Sequence, residues 1–133
     1  MKAFKNIAIA LCATLMLAAC GGGSPEAVAK SYIDAALEFD FKKAAKYSSE
    51  EHAANLLKEM GRYSEEDLKE ETEAAREDYK GITYKVIEVE VEENEAAVML
   101  EFVKGGGTKK SEIELIKEGG KWKVDYERLR LFF

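Results

Sequence analysis

The spacing of the apolar residues changes near Ile82, and this change constrains the fold more than any other feature of the chain. Before Ile82, apolar residues recur every three or four positions, as at Val28, Tyr32 and Ala35, which is typical of helices with one buried face. After it they alternate with polar residues, as in strands with one buried face. Helices followed by four strands and short turns predict an α+β fold, in which N-terminal helices pack on a curved four-stranded antiparallel sheet.

Capping residues predict where the helices begin and end. A serine or aspartate side chain at a helix start accepts a hydrogen bond from a free backbone N–H group. Pro25 favours the first turn of the first helix, Ser48 with Glu51 has the spacing of a capping box, and Gly61 is the expected C′ residue of the third helix. The predicted N-caps are Ser24, Asp40, Ser48 and Ser64.

The strand region contains one irregularity and three predicted connections. The apolar alternation shifts phase between Val86 and Ile87, which predicts a β-bulge in the first strand. Glu93 with Asn94, and Gly119 with Gly120, predict tight turns, and residues 105–108 predict a longer loop. Connections this short favour sequential hairpins, so each strand should pair with the next one in the chain.

The first 20 residues consist of a basic, an apolar and a small-residue section, in that order. Lys2 and Lys5 precede an apolar run over residues 7–17, which is shorter than the about 20 residues that a membrane-spanning helix needs. The Leu-Ala-Ala-Cys sequence that ends at Cys20 resembles the bacterial lipobox. That resemblance implies cleavage before Cys20, transfer of a diacylglycerol to its sulfur and acylation, for example by palmitate, of the new amino terminus. The alternative is an ordinary secretory signal cut near Cys20.

These features predict three segments: a lipoprotein signal peptide at 1–19, a lipidated cysteine and Gly/Ser tether at 20–24, and a single α+β domain at 25–133. Gly21 after the cysteine, rather than aspartate, resembles the pattern of lipoproteins sorted to the outer membrane, where the domain would face the periplasm. The outer face of the cytoplasmic membrane of a single-membrane bacterium is the alternative. Because Cys12 leaves with the signal and Cys20 carries lipid, we expect no disulfide in the mature chain.

The charge of the chain argues against two classes of partner. The formal net charge is −6, and it becomes −8 once the two lysines of the signal segment are removed. An acidic protein is a poor ligand for nucleic acid and is repelled by anionic lipid headgroups. We therefore expect no nucleic acid partner, and we expect the lipid on Cys20 to provide the attachment to the membrane.

Three local sequences together resemble one family of bacterial proteins. They are the Ser-Pro-Glu-Ala helix start at 24–27, the Phe-Asp-Phe-Lys-Lys-Ala-Ala segment at 39–45 and the Gly-Gly-Lys-Trp-Lys-Val-Asp segment at 119–125. With the lipobox, they resemble small bacterial lipoproteins that carry a nuclear-transport-factor-2-like domain of unknown function, near the lumazine-binding-protein-like families. The resemblance implies a cystatin-like cone, in which helices pack into a bent sheet and sometimes leave a pocket. It implies no catalytic residues.

The residues that could carry chemistry are few. His52 is the single histidine and has no second histidine or cysteine with which to share a metal, so we expect no metal site and no cofactor. Ser48 and Ser49 lie near His52, but helix capping explains them better than nucleophilic catalysis does. The glycines at 105–107 lack the Lys-Ser/Thr pair of a phosphate-binding loop and lead into a strand. A hairpin connection explains them better.

An isomerase site is the main enzymatic alternative, since cones of this kind can place a carboxylate and a tyrosine hydroxyl in one pocket. Asp34 is the candidate carboxylate, and Tyr32, Tyr84 or Tyr126 the candidate hydroxyl. Tyr32 and Asp34 are two positions apart on a helix, so they do not share a face. We therefore expect the protein not to be an enzyme.

The aromatic residues are expected mainly in the core, with a minority at a pocket mouth or a partner surface. The candidates are Tyr32, Phe39, Tyr84, Trp122 and Tyr126. The apolar end of the chain, residues 129–133, should pair with the sheet or be covered. The sequence thus predicts an exported, lipid-anchored, non-catalytic domain of the cell envelope that binds a small molecule or another envelope protein. A structural accessory subunit of an envelope complex is a further alternative.

Overall fold

The computed structural model describes residues 23–127, and Cys20, the signal segment and residues 128–133 lie outside this range. Four helices come first and four strands follow, which confirms the predicted α+β class. The helices are α1 (Pro25–Leu37), α2 (Phe41–Lys46), α3 (Glu50–Met60) and α4 (Glu65–Asp78). The strands are β1 (Thr83–Glu92), β2 (Glu95–Lys104), β3 (Gly107–Glu118) and β4 (Lys121–Glu127).

The strands form one antiparallel sheet in the order β1-β2-β3-β4, as the short connections predicted. The register of β1 against β2 shifts between Val86 and Glu88, which confirms the bulge and leaves Ile87 as the extra residue. Val86 is opposite Leu100 and Val89 is opposite Val98. Because of the bulge, the apolar side chains of both halves of β1 point to the same face of the sheet.

Two of the three predicted connections are confirmed and one is shorter than expected. Gly119 and Gly120 both have positive φ angles, 60° and 81°, which a two-residue hairpin turn of this twist requires and which glycine adopts without strain. Glu93 and Asn94 turn between β1 and β2. The loop predicted at 105–108 was too long, because β3 begins at Gly107 and pairs there with Lys104.

Three of the four predicted N-caps are confirmed, since the side chains of Ser24, Asp40 and Ser64 accept hydrogen bonds at the starts of their helices. The prediction for Ser48 was wrong. Ser49 caps α3 instead, because the Ser48 hydroxyl donates to the carbonyl of Ala44 at 2.9 Å.

The prediction that Gly61 is the C′ residue of α3 was wrong by one position, since Gly61 is the C-cap, with a φ of −67°. The chain continues past it in right-handed turns, in which the N–H groups of Arg62 and Tyr63 donate to the carbonyls of Glu59 and Met60. The helix therefore ends without a left-handed residue.

Helix α1 covers one face of the sheet. Its buried apolar residues recur at helical spacing and contact the inward residues of the strands. The members of this core with exposed fractions of 1% or less include Ala29, Tyr32, Ile33, Val98, Leu100, Phe102, Ile113, Leu115 and Val124. The middle of the covered face is therefore occupied by side chains of α1.

The edge strand β4 is closed by the segment that joins α2 to α3. The N–H of Ser49 donates to the carbonyl of Val124, and the N–H of Val124 donates to the carbonyl of Tyr47, both at 2.8 Å. Ser48 thereby forms a parallel bridge with Val124. This pairing fixes the helices to the sheet and protects the edge of β4 from other strands.

Candidate functional site

The structure does not bring the five predicted aromatic residues together. Tyr32 and Trp122 belong to the core, with exposed fractions of 1% and 7%. Tyr84 is half-buried, with its ring centroid 5.6 Å from that of Phe102, whereas Phe39 lies among the helices. Tyr126 lies in β4, and its side chain is outside the described part of the structure. The candidates therefore do not form one shared pocket.

A polar cluster joins α1, α3 and β4. The Ser49 hydroxyl donates to Asp125 Oδ1 at 2.8 Å and accepts from the N–H of His52 at 3.2 Å. His52 Nε2 lies 2.9 Å from the buried Tyr32 hydroxyl. The Ser49 proton is directed at a carboxylate rather than at an imidazole, so this geometry is that of a structural junction and not of an activated nucleophile.

Of the three tyrosines considered for an isomerase site, the structure pairs Tyr84 with Asp34. The Tyr84 hydroxyl donates to Asp34 Oδ1 at 2.7 Å and also lies 3.2 Å from the carbonyl oxygen of Lys30. Burial, the hydrogen bond to Asp34 and the charge of Asp34 raise the pKa of Tyr84 well above its ordinary value. The phenol therefore stays protonated at neutral pH. Because Asp34 is exposed, the pair links α1 to β1 at the surface.

Metal binding has no support among the residues that the structure describes. No three histidine, cysteine, aspartate or glutamate side chains in residues 23–127 lie together in a way that could hold a metal ion. The acidic residues of α4 are exposed.

The candidate site is a groove among the helices, which we call the aromatic groove. It lies between α4, the start of α2 with the segment 38–40 that precedes it, and the end of α3, and its volume is about 450 Å³. The Phe39 ring centroid is 4.5 Å from that of Phe41 and 6.1 Å from that of Tyr63. The full lining consists of Glu38, Phe39, Asp40, Phe41, Lys42, Met60, Gly61, Tyr63, Glu65, Leu68, Thr72 and Arg76.

Phe39 enters the groove because of an unusual backbone conformation. It occupies the C′ position of α1 with a φ of 59°, where glycine is the usual residue. The N–H of Phe39 donates to the carbonyl of Ala36, and the N–H of Asp40 to that of Ala35, which is the full Schellman pattern. A residue with a β-carbon costs about 1–2 kcal/mol in this conformation. The fold thus retains a strained phenylalanine whose ring packs against two other aromatic rings.

The sequence interpretation included Phe39 and missed the rest of the groove. The available signal was an apolar residue at a helix end, where glycine or asparagine would be expected. Phe41 and Tyr63 contact Phe39 through the packing of α2 and α3, which no local pattern in the sequence reveals.

The face of the sheet opposite α1 is strongly acidic. Glu88 and Glu112 flank Met99 across three strands, and Glu90 flanks Ala97 in the next row. Partial burial, a hydrogen bond with Glu88, and the charges of Glu88 and Glu112 raise the pKa of Glu90 above its ordinary value of 4.5. Like charges are therefore crowded on this face.

We expect Glu90→Gln to increase the free energy of unfolding at pH 7 and to change it little at pH 4. Because the folded-state pKa of Glu90 is raised, the folded chain holds this proton to higher pH than the unfolded chain does. Stability is consequently lost as the pH rises above 4.5, and the neutral amide removes that loss. Urea unfolding at the two pH values measures the effect, with Glu71→Gln on the exposed surface of α4 as control. A variant no more stable than wild type at pH 7 would contradict the prediction.

Comparison with known proteins relates the chain to one family and one fold. A family model described as Domain of unknown function (DUF4878) matches residues 18–125. Among solved structures, the chain is similar to a Campylobacter jejuni protein provisionally called an NTF2-like transpeptidase, with 16% identity, a TM-score of 0.55, and coverage of 78% of this chain and 99% of that one. It is also similar to a SEC-C motif containing protein from Rhodopseudomonas palustris, with 16% identity, a TM-score of 0.51, and coverage of 90% and 88%. No curated protein matches the chain.

Proposed function

The chain belongs to the DUF4878 family and has an NTF2-like fold, and we propose that it is a non-catalytic binding domain that a lipid on Cys20 holds at a membrane of the bacterial cell envelope. The aromatic groove is the observation that carries the binding part of this proposal. Apolar residues line its base, and it is open to solvent at the exposed residues Gly61 and Tyr63. It also contains a residue with a strained backbone, Phe39. Strained residues that a fold retains cluster at functional sites.

The polar groups of the domain support a non-catalytic role. Ser49 is bonded to Asp125, and Tyr84 is bonded to Asp34, so each hydroxyl already has a carboxylate partner. Neither pair lines the aromatic groove. The groove therefore combines an apolar contact surface with charged rims.

The attachment to the membrane is proposed from the lipobox and the start of the fold. Ser24 caps α1, so only the three glycines at 21–23 separate Cys20 from the folded domain. A linker of this length reaches about 10 Å, which would place the domain next to the headgroups. No helix among the described residues is long and apolar enough to cross a membrane.

Cys20→Ser is expected to release the protein from the membrane fraction and to abolish labelling with radioactive palmitate. One acyl chain gives only marginal binding, whereas the two or three expected on Cys20 give stable anchoring at about 0.8 kcal/mol per buried methylene. Fractionation of cells followed by immunoblotting measures the distribution. Cys12→Ser, in the segment expected to be cleaved off, is the matched control and should remain at the membrane. Recovery of the Cys20→Ser protein in the membrane fraction, still labelled with palmitate, would refute the anchor.

Two alternatives remain testable in the same cells. If the protein is an isomerase-type enzyme, it converts a substrate, and Asp34→Asn and Tyr84→Phe each abolish that conversion. A structural accessory subunit requires a stable cross-linked partner at a fixed stoichiometry. For the site of anchoring, we propose the outer membrane facing the periplasm, and separation of the two membranes on a sucrose gradient distinguishes it from the cytoplasmic membrane.

A further inference from the structure

One side of β3 is only partly paired. Over residues 23–127, β4 pairs with β3 from Glu118 back to Ile113, which lies opposite Glu127. The first six residues of β3, 107–112, pair with β2 on one side. Among the described residues no strand pairs with their other side, which we call the open edge of β3. Such an edge presents unpaired backbone groups and is a template for another strand.

The hairpin of β2 and β3 identifies the backbone groups at the open edge. A two-residue connection joins Lys104 to Gly107, so the two residues of this pair exchange both of their backbone hydrogen bonds. Along an antiparallel strand, the backbone groups of successive residues face opposite sides. Every second residue of β3 therefore directs its N–H away from β2. We call three of these groups the edge N–H groups: those of Thr108, Lys110 and Glu112.

A buried hydroxyl beside the open edge has no partner. Ser111 is 3% exposed and lies opposite Leu100, on the face of the sheet that α1 covers. Its Oγ has no hydrogen-bond partner among the described residues. Burial without a partner is unfavourable for a hydroxyl, and such groups in native proteins are usually satisfied by a neighbouring segment. The described residues therefore leave this part of the sheet incomplete.

A β-bulge in β4 determines which later positions are on the core side. Leu115 lies opposite Val124, but the residue before Leu115 lies opposite Tyr126. Asp125 is therefore an extra residue in β4. Paired residues share a face of the sheet, and both Leu115 and Ile113 are buried. The core-side positions of β4 are thus even-numbered before the bulge and odd-numbered after it.

Residues 128–133 have the pattern that this register requires. Their sequence is Arg-Leu-Arg-Leu-Phe-Phe, so apolar residues occupy all three odd-numbered positions. Continued from the last described pair of β3 and β4, the register places Leu129 opposite Ser111, on the core side. It places Arg128 opposite Glu112, on the acidic face of the sheet. An apolar residue is thereby matched with the core, and a cation with the carboxylates.

We propose that residues 128–133 extend β4 along the open edge of β3, with the three odd-numbered apolar residues on the core side and the two arginines on the acidic face. The chain thereby closes its own sheet and excludes a partner strand from this edge. A segment of the same chain is favoured over a partner, because the pairing of Glu127 already holds its next residue at the edge. The proposal involves neither the aromatic groove nor the lipid anchor.

Amide hydrogen exchange of the full-length protein in detergent micelles, followed by NMR, tests the proposal. The edge N–H groups should exchange as slowly as those of Lys109 and Ser111, which point to β2. In a variant that stops after Glu127, the edge N–H groups should exchange faster by about tenfold or more, because they face water instead of a strand. The groups that point to β2 are the internal control and should keep most of their protection.

Two point variants keep the test valid if the truncated chain fails to fold. Leu131→Ala changes a core-side position and should speed exchange of the edge N–H groups by about fivefold. Phe132→Ala changes the next residue, at a position on the acidic face, and should have little effect. Because phenylalanine is the larger side chain, a general loss of apolar surface would give the opposite order.

Four results would overturn the proposal. They are fast exchange of the edge N–H groups in the full-length protein, unchanged exchange after truncation, a larger effect of Phe132→Ala than of Leu131→Ala, and protection that is lost on dilution. The last result would assign the open edge to a second copy of the chain. None of these results bears on ligand binding in the aromatic groove, so the proposed function is tested separately.

Discussion

Phe102→Ala is expected to lower the free energy of unfolding by about 3–5 kcal/mol, the range for removing a buried phenylalanine side chain. Phe102 is completely buried and lies in the interior strand β2, opposite Tyr84 on β1 and Lys109 on β3. Its ring also contacts the ring of Tyr84. Truncation removes apolar contacts and leaves a cavity that the paired strands on both sides prevent from closing.

Val103→Ala is the matched control, because Val103 is the next residue on β2 and points to the opposite, partly exposed face. We expect it to cost less than about 1 kcal/mol, as most changes at partly exposed positions do. Urea unfolding followed by circular dichroism measures both variants. An unchanged slope of the free energy of unfolding against urea concentration would show that each variant exposes as much surface on unfolding as the wild type does. Equal losses from the two variants would contradict the assignment of the buried face.

The face of each strand is predictable from sequence because side chains alternate along a strand, and a shift by one residue would exchange every buried and exposed position. The bulge at Ile87 was predictable for the same reason, since only an inserted residue reconciles the two apolar phases of β1. The cap of α3 was predicted one residue early, at Ser48. Both serines can cap a helix, and which of them does so depends on the pairing of this segment with β4. Asp125 of β4, the hydrogen-bond partner of Ser49, is 76 residues away in sequence.

The aromatic groove was not predictable to the same extent. Its floor depends on the left-handed backbone at Phe39, which places the ring beside Phe41 instead of continuing α1. Tyr63 reaches the same place only because α3 ends in right-handed turns at Gly61. Periodicity assigns residues to faces of helices and strands. The aromatic centre of this groove also includes Phe39 and Tyr63 from connections between helices, whose positions depend on tertiary packing.

Ser49→Ala is expected to lower the free energy of unfolding by about 3 kcal/mol, because one hydroxyl makes two contributions. As the N-cap of α3, it accepts the hydrogen bond from the N–H of His52, a contribution of about 1 kcal/mol in most helices. It also donates to Asp125, and hydrogen bonds to charged groups contribute about 1.5–3 kcal/mol. Ser49 is 1% exposed, so water does not easily replace the lost partner.

The matched control for Ser49 is Ser64→Ala, which removes a cap of the same type from α4. Ser64 accepts a hydrogen bond from the N–H of Asp67 at 3.0 Å, but it is exposed, so we expect a loss of about 1 kcal/mol or less. A double-mutant cycle of Ser49→Ala with Asp125→Ala should give a coupling of about 1–2 kcal/mol, since each variant removes the same hydrogen bond. Equal losses at Ser49 and Ser64, or additive losses at Ser49 and Asp125, would show that this bond does not fix α3 to β4.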